Sequence, residues 1–208
     1  IDKDVPLVVP NFATDSTGLL LKDLGFNNIN KLNFEDQYQF NKTELIFTIF
    51  KSGDLREDSG FYFSAGDFKG LLTVDANNLN FLKLPSIDFF ASSFAGGAHG
   101  YPLNCENYKL EDRIKMLETD RKFIKQTKYK YLKKIKPKFF LPYAGFFKEM
   151  LKRDKIYIEH NKKNQVADYK NICKELGIEI LDVADNNIFN FNKNKKIIPE
   201  SYNGKYYV

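Results

Sequence analysis

Ser92-Ser93-Phe94-Ala95-Gly96-Gly97-Ala98-His99-Gly100-Tyr101-Pro102 follows directly on the apolar run Ile87 to Ala91. A short apolar run bounded by turn residues reads as a buried strand, so the loop leaves the end of a strand. Gly96, Gly97 and Gly100 free its backbone to take positive φ and to approach a ligand closely. N–H groups displayed by such a loop can cradle an anion such as phosphate. His99 stands among them and can donate, accept or ligate. Taken alone, the pattern describes first of all a tight loop whose glycines relieve steric strain.

Two further segments end strands in the same manner. Leu71-Leu72-Thr73-Val74-Asp75 is an apolar run closed by a carboxylate. At a sheet edge that side chain faces whatever lies above, and carboxylates so placed bind metals or substrates. The same aspartate serves equally to open the turn Asp75-Ala76-Asn77-Asn78. Leu141-Pro142-Tyr143-Ala144-Gly145-Phe146-Phe147-Lys148-Glu149 reads as a strand end, a glycine turn and the start of a helix. It is a second place where a sheet presents side chains to a cleft.

Around these segments the pattern alternates strands and helices. Val5 to Val9 is a buried strand ending at Pro10. Asp15 or Ser16 caps a helix carrying Leu19, Leu20, Leu21 and Leu24 and closed by Gly25, and Ile29 to Phe34 alternates as a half-buried strand does. This opening predicts a right-handed βαβ unit. Leu45 to Phe50, Gly60 to Ala65 and Leu71 to Val74 are three strands separated by Ser52-Gly53-Asp54 and Gly66-Asp67, the last two forming a hairpin. The spacing of Ile114, Leu117, Ile124, Leu132 and Ile135 predicts a helix from Leu110 to Ile135. Glu111 and Asp112 at its start and lysines at its end suit the helix dipole, and Pro137 ends it. Phe139 to Tyr143 is a strand, Gln165 to Leu176 a helix stopping at Gly177, and Ile178 to Val183 a last strand. The tail after Asp185, rich in Asn and Lys, is expected to be peripheral or loosely ordered. The organisation is thus one α/β domain over residues 1–185 and a C-terminal tail over 186–208. The first βα turn lacks GxGxxG and the chain lacks a Walker A sequence, so a dinucleotide-binding doubly wound sheet is not indicated.

Composition narrows the partners. Of 208 residues 43% are apolar and 15% aromatic, enough for a packed core. The formal net charge of +5 keeps a protein soluble without defining a ligand. Basic residues crowd Arg121 to Lys138, including Lys122, Lys125 and Lys128. A nucleic-acid surface is one reading of that run. The solvated face of a helix is the preferred one, because the apolar stripe uses the other face; no nucleic acid is expected as partner. Cys105 and Cys173 form no CxxC pattern, which points to a reducing, cytoplasmic setting. No apolar run is long enough to span a bilayer, and no signal peptide is visible. Heavy use of Asn, Lys, Ile and Phe hints at AT-rich coding and a bacterial source. The chain begins at Ile1, and further sequence is expected upstream.

Phe94-Ala95-Gly96-Gly97, then Gly100 and Pro102, then Thr119 with Arg121-Lys122, then Pro142, Ala144-Gly145, Phe147 and Glu149 resemble the metallo-β-lactamase-like domain of the CMP-N-acetylneuraminate hydroxylases. The resemblance runs from about Val5 to the helix near Gln165. It implies an αββα sandwich of which this chain is the later portion, and a metal-dependent oxygenase or hydrolase acting on a nucleotide-linked or amino sugar. In that family a Rieske [2Fe-2S] domain lies upstream, electrons come from a separate carrier, and the N-acetyl group of a CMP-linked sialic acid is hydroxylated. Asp75 would take the bridging position for a divalent metal, Zn or Fe. Phe94, Gly96, Gly97, His99, Tyr101, Tyr143, Gly145 and Glu149 would line the substrate cleft, and no residue is assigned as catalytic.

The chain departs from the pattern in its histidines. The HxHxDH motif expected before the Val5 to Val9 strand is absent, and Asp54-Leu55-Arg56 stands where a histidine near Gly53 is expected. Only His99 and His160 occur, and related hydroxylases have a small residue at His99, so no family role passes to it. The Rieske CxH and CxxH pairs are missing too. The remaining ligands are then expected in an upstream segment or a separate chain, with an electron-transfer protein as further partner. The alternative is a metal-free binding or scaffold domain derived from the same fold.

Overall fold

The computed structural model describes residues 1–80, 83–96, 100–145 and 148–182, together with the backbone of two strands at 187–191 and 197–201. The chain divides into two compact units, Ile1–Pro85 and Ser86–Val208. It is α/β throughout, as expected, and no helix among the described residues is long and apolar enough to cross a membrane.

The first unit opens with β1 (Leu7–Pro10), α1 (Ser16–Asp23) and β2 (Ile29–Leu32). β1 and β2 pair in parallel with Leu7 opposite Ile29, which a helical crossover permits and a hairpin does not. Asp15 precedes α1 at φ 50° and makes no side-chain cap; its carboxylate pairs with Lys31 instead. Leu19 and Leu20 on α1 and Leu24 just after it are exposed, so this helix buries little of its own. Next come β3 (Gln37–Gln39), β4 (Leu45–Lys51), β5 (Ser59–Ala65) and β6 (Phe68–Thr73), an antiparallel meander. β5 and β6 form the hairpin expected at Gly66-Asp67. The edge strand β3 is not anticipated by the pattern, being three residues long with two glutamines. Leu32, Phe47 and Ile49 form one core cluster of this unit, packed by Val8, Phe34 and Tyr38, and Leu71 and Leu79 are buried as well. Burying each such large apolar side chain contributes about 1.5–3 kcal/mol.

The second unit begins with β7 (Phe89–Ser92) and the long helix α2 (Leu110–Ile135), then β8 (Phe139–Pro142). The helix has the predicted bounds, and Lys136 beyond it takes the left-handed conformation before Pro137. α3 (Lys155–His160) follows, unanticipated, then α4 (Ala167–Leu176) and β9 (Glu179–Ile180). The helix start expected after Gly145 is not seen at Lys148 to Met150; the next helical turn begins at Lys152. β7, β8 and β9 are parallel, in register Ser92 with Pro142 and Phe139 with Glu179. Their core is aromatic: Phe90 stacks on Phe140 at 5.7 Å, and Tyr169 lies 6.1 Å from both Phe140 and Phe94. The tail carries an antiparallel hairpin, β10 (Asn187–Phe191) with β11 (Ile197–Ser201). The β-forming Ile188, Phe189, Phe191, Ile197 and Ile198 outweigh the Asn and Lys that coloured the segment as loose.

One expectation about α2 is corrected. Its basic residues are not all on the solvated face, since Arg121 and Lys128 are buried. Arg113, Arg121 and Lys128 are spaced eight and seven residues apart, about two helical turns each time, so they lie along one stripe. They occupy the gaps that the apolar stripe leaves beside Leu117, Ile124 and Leu132.

Candidate functional site

In the second unit, that basic stripe is what holds the glycine loop and the strand before it. Lys128 donates to Ser92 Oγ at the end of β7. Arg113 Nη1 donates to the Leu103 carbonyl at 2.6 Å. Arg121 lies over Gly96, whose φ is +70°. A Cβ at that position would run into Nη1 and stand 2.9 Å from Cζ. Glycine is therefore required at 96 for two independent reasons: the left-handed backbone and the guanidinium seated on it.

The segment's carbonyls are satisfied from α4 and the turn before it. Tyr169 Oη donates to the Phe94 carbonyl at 3.0 Å, and Asn164 Nδ2 donates to the same oxygen at 3.3 Å. Asn164 Nδ2 also reaches the Arg121 carbonyl at 3.2 Å, while the Asn164 backbone N–H donates to Ala95 at 3.1 Å. Buried carbonyls left unpaired would cost about 1–3 kcal/mol each, which makes Asn164 and Tyr169 structural necessities here. Burial pushes the Tyr169 hydroxyl well above its ordinary value, so it stays a neutral donor.

The structure brings the second predicted segment against the first. Tyr143 N–H donates to the Ser92 carbonyl at 3.0 Å. Gly145 has φ +117°, and a Cβ there would stand 2.5 Å from Ala95 Cβ. The loop after β7 and the loop after β8 thus touch at Ala95 and Gly145. Phe94 is buried, so its ring belongs to the core rather than to an open wall, whereas Tyr101 is exposed and Tyr143 partly so. Glu149 accepts from Asn161 Nδ2 at 2.8 Å and from Lys163 Nζ at 3.1 Å. Burial opposes its ionisation, yet its own N–H, Lys163 and Asn161 together hold it below the usual carboxylate value. Gly97 and His99 lie outside the described residues.

Arg121 is the residue that sequence reasoning placed only within a motif. Its side chain is 8% exposed; Nη1 pairs with Asp120 at 2.7 Å and Nε donates to the Lys162 carbonyl at 3.3 Å. Nη2 is buried without a hydrogen-bond partner. Burial lowers the guanidinium pKa while Asp120 pulls it back up. Beside it, a cavity of about 360 Å³ is lined by Arg121, Lys122, Lys125, Lys162 and His160 among others. The signal in the sequence was the pair of gaps at 121 and 128 in an otherwise apolar stripe.

Asp75 belongs to the first unit. Its carbonyl accepts from Arg56 Nη2 at 3.0 Å, and its carboxylate, 62% exposed, faces Arg56 Nη1 at 4.0 Å. Arg56 also pairs with Asp54 at 3.1 Å. Asp54 is held below its usual pKa: desolvation, the largest single influence, works the other way, and the hydrogen bonds and charge of Arg56 together outweigh it. A guanidinium therefore supplies the positive charge at these two carboxylates. Among the described residues no three His, Cys, Asp or Glu side chains come together as a metal would require. The described donor set does not fit a divalent metal.

Comparisons with known proteins agree with the resemblance carried by the glycine loop. No protein-family profile matches the chain. It is 30% identical over 182 residues to a cytidine monophosphate-N-acetylneuraminic acid hydroxylase of Gorilla gorilla gorilla, covering 83% of this chain and 29% of that protein. The protein of the same name from Danio rerio is 32% identical over 115 residues, covering 52% of this chain and 20% of its own length. Among solved structures, the metallo-beta-lactamase fold protein YhfI from Bacillus subtilis aligns with a TM-score of 0.46 at 9% identity, over 86% of this chain and 61% of that one. The chain is thus related in sequence to CMP-N-acetylneuraminic acid hydroxylases over most of its length, and spans less than a third of the length of these relatives.

Proposed function

We propose, from this kinship with the CMP-N-acetylneuraminic acid hydroxylases, that the chain is a segment of a metal-dependent oxygenase acting on a nucleotide-linked or amino sugar. Its share of the work is to bind and orient substrate with the second unit. The identity of 30% across 83% of the chain is the observation that carries the reading. It gains support from the way Gly96, Arg121, Gly145, Asn164 and Tyr169 lock two strand-end loops together. Rigid elements under a loop are what hold a bound group in one orientation. On this reading the metal ligands, the Rieske cluster and the electron carrier are contributed from outside the described residues, and no chemical step is assigned to a metal here. The test is incubation of the full-length protein with CMP-N-acetylneuraminate, dioxygen and a reductant, followed by mass spectrometry of the sugar. A gain of one oxygen atom is expected; unchanged substrate across nucleotide-linked and free amino sugars would sink the proposal.

A second reading is favoured by one observation, the Arg56 guanidinium facing Asp75 where a metal would otherwise sit. In that reading the chain is a metal-free binding domain. Elemental analysis of the purified protein separates the two, because a binding domain carries neither Zn nor Fe in stoichiometric amount.

A further inference from the structure

The cavity beside Arg121 has a chemistry of its own. Its walls come from α2, from the end of α3, from the stretch that follows and from the start of α4, all in the second unit. Its volume of about 360 Å³ falls in the range of small-molecule sites, roughly 300–1,000 Å³. Glu118, Glu159 and Asp168 lie on the lining as well. Two of these acids are engaged: Glu159 lies 3.8 Å from both Lys155 and His160, and Asp168 accepts the Gln165 N–H at 2.8 Å. Of the cations, Lys163 is held by Glu149 and Arg121 by Asp120. Lys122, Lys125 and Lys162 make no ion pair among the described residues. Three lysines without an ion pair among the described residues thus line a cavity whose wall also includes Arg121, one of whose guanidinium nitrogens is buried and unpartnered.

We infer that this cavity is an oxyanion subsite, in which Lys122, Lys125 and Lys162 take a phosphate or carboxylate of a small-molecule ligand against the Arg121 wall. The inference rests on the reading of the second unit as a substrate-binding body. Physically, an oxyanion would neutralise cations that line one cavity and give them charge-assisted hydrogen bonds. Aliphatic lining from Ile114 and Leu117 lowers the local dielectric and strengthens each of those bonds. Because Arg121 seats on Gly96, the subsite is mechanically tied to the glycine loop. A bound anion would therefore lie on the far side of the guanidinium from that loop.

Calorimetric titration of the whole chain tests this with four probes: inorganic phosphate, CMP, free N-acetylneuraminate and uncharged cytidine. Binding is expected for CMP or N-acetylneuraminate and not for cytidine, and the two anions separate a phosphate source from a carboxylate source. Lys122→Gln, Lys125→Gln and Lys162→Gln should each weaken the bound anion about threefold to tenfold, and added salt should weaken it further. Lys42→Gln, in a turn of the first unit, should change nothing. Arg121→Lys is a harsher variant that risks the fold, so the three lysine variants decide. No binding of any anion, or binding indifferent to all three lysines, overturns the inference. The turnover assay fails separately: anion binding lost in the lysine variants with no hydroxylated product sinks only the oxygenase reading. Product formation with a KM untouched by these variants sinks only the subsite.

Discussion

Gly96→Ala is the sharpest probe of how the second unit is built. At φ +70° an alanine pays the left-handed penalty of about 1–2 kcal/mol. Its methyl group would also enter the space of the Arg121 guanidinium, 2.9 Å from Cζ, and approach Ile124 Cδ1 at 2.6 Å. Ile124 Cδ1 is the end of a flexible side chain and can move. The guanidinium is held by Asp120 and by the Lys162 carbonyl and can move only by breaking those bonds. Overpacking against it adds about 1–3 kcal/mol, for a total near 3 kcal/mol. The two contributions separate in a double-mutant cycle. In an Arg121→Ala background the overpacking largely disappears, and Gly96→Ala should cost only the backbone share of about 1–2 kcal/mol. The readouts are urea unfolding followed by circular dichroism, since the chain has no Trp, and exchange of the Asn164 amide, which is bonded to Ala95. Equal costs of Gly96→Ala in the two backgrounds would refute the seating of Arg121 on Gly96.

Other variants follow from single groups. Asp75→Asn removes an exposed carboxylate from a 4.0 Å pair; it should shift stability by less than about 0.5 kcal/mol and leave Zn and Fe content unchanged, and a fall in metal by elemental analysis would return Asp75 to a ligand role. Glu149 titrates below its unfolded value of 4.5, so its pairing stabilises the fold above that pH and is lost as pH falls through the lower folded value. Glu149→Gln should therefore lower stability at neutral pH and flatten the acid limb of a stability–pH profile; an unchanged limb would count against the pairing. The Cys173 thiol is buried and pushed up to about 11 by that burial, so native alkylation should modify Cys105 first and reach Cys173 only in denaturant, as peptide mass spectrometry would read directly.

Much of the fold was legible because its signals are local. The apolar runs at Leu45, Gly60 and Ile87 become strands, and the stripe from Ile114 to Ile135 becomes α2 with its predicted ends. What escaped was either too short or too distant. β3 is three residues with two glutamines, and α3 is six residues in which Ile156, Tyr157 and Ile158 fit a strand as readily as a helix. Asn164 and Tyr169 reach Phe94 across 70 and 75 residues of chain, and nothing near either residue announces that bond. Arg121 and Lys128 were hidden differently. Composition sends a basic residue to solvent, and only the gaps in the apolar stripe show that these two turn inward, with their stems packed and their heads bonded.

This bears on what the glycine-loop resemblance means. Phe94, Ala95, Gly96, Arg121 and Gly145, which are among the residues that carry it, are pieces of a lock: Gly96 under Arg121, Ala95 against Gly145, and the Phe94 carbonyl held by Tyr169 and Asn164. A lock can be shared by an enzyme and by a binding domain alike, because it fixes loops without touching a reacting atom. The resemblance therefore argues for a common architecture more strongly than for a common reaction. The side chains of Lys122, Lys125 and Lys162 make no ion pair among the described residues, and Lys162 serves the lock only through its backbone carbonyl, so their substitution by Gln reads ligand chemistry with little contribution from folding. Neutralising them one at a time, with the Gly96 and Arg121 pair intact, is what divides a substrate-binding body from a scaffold.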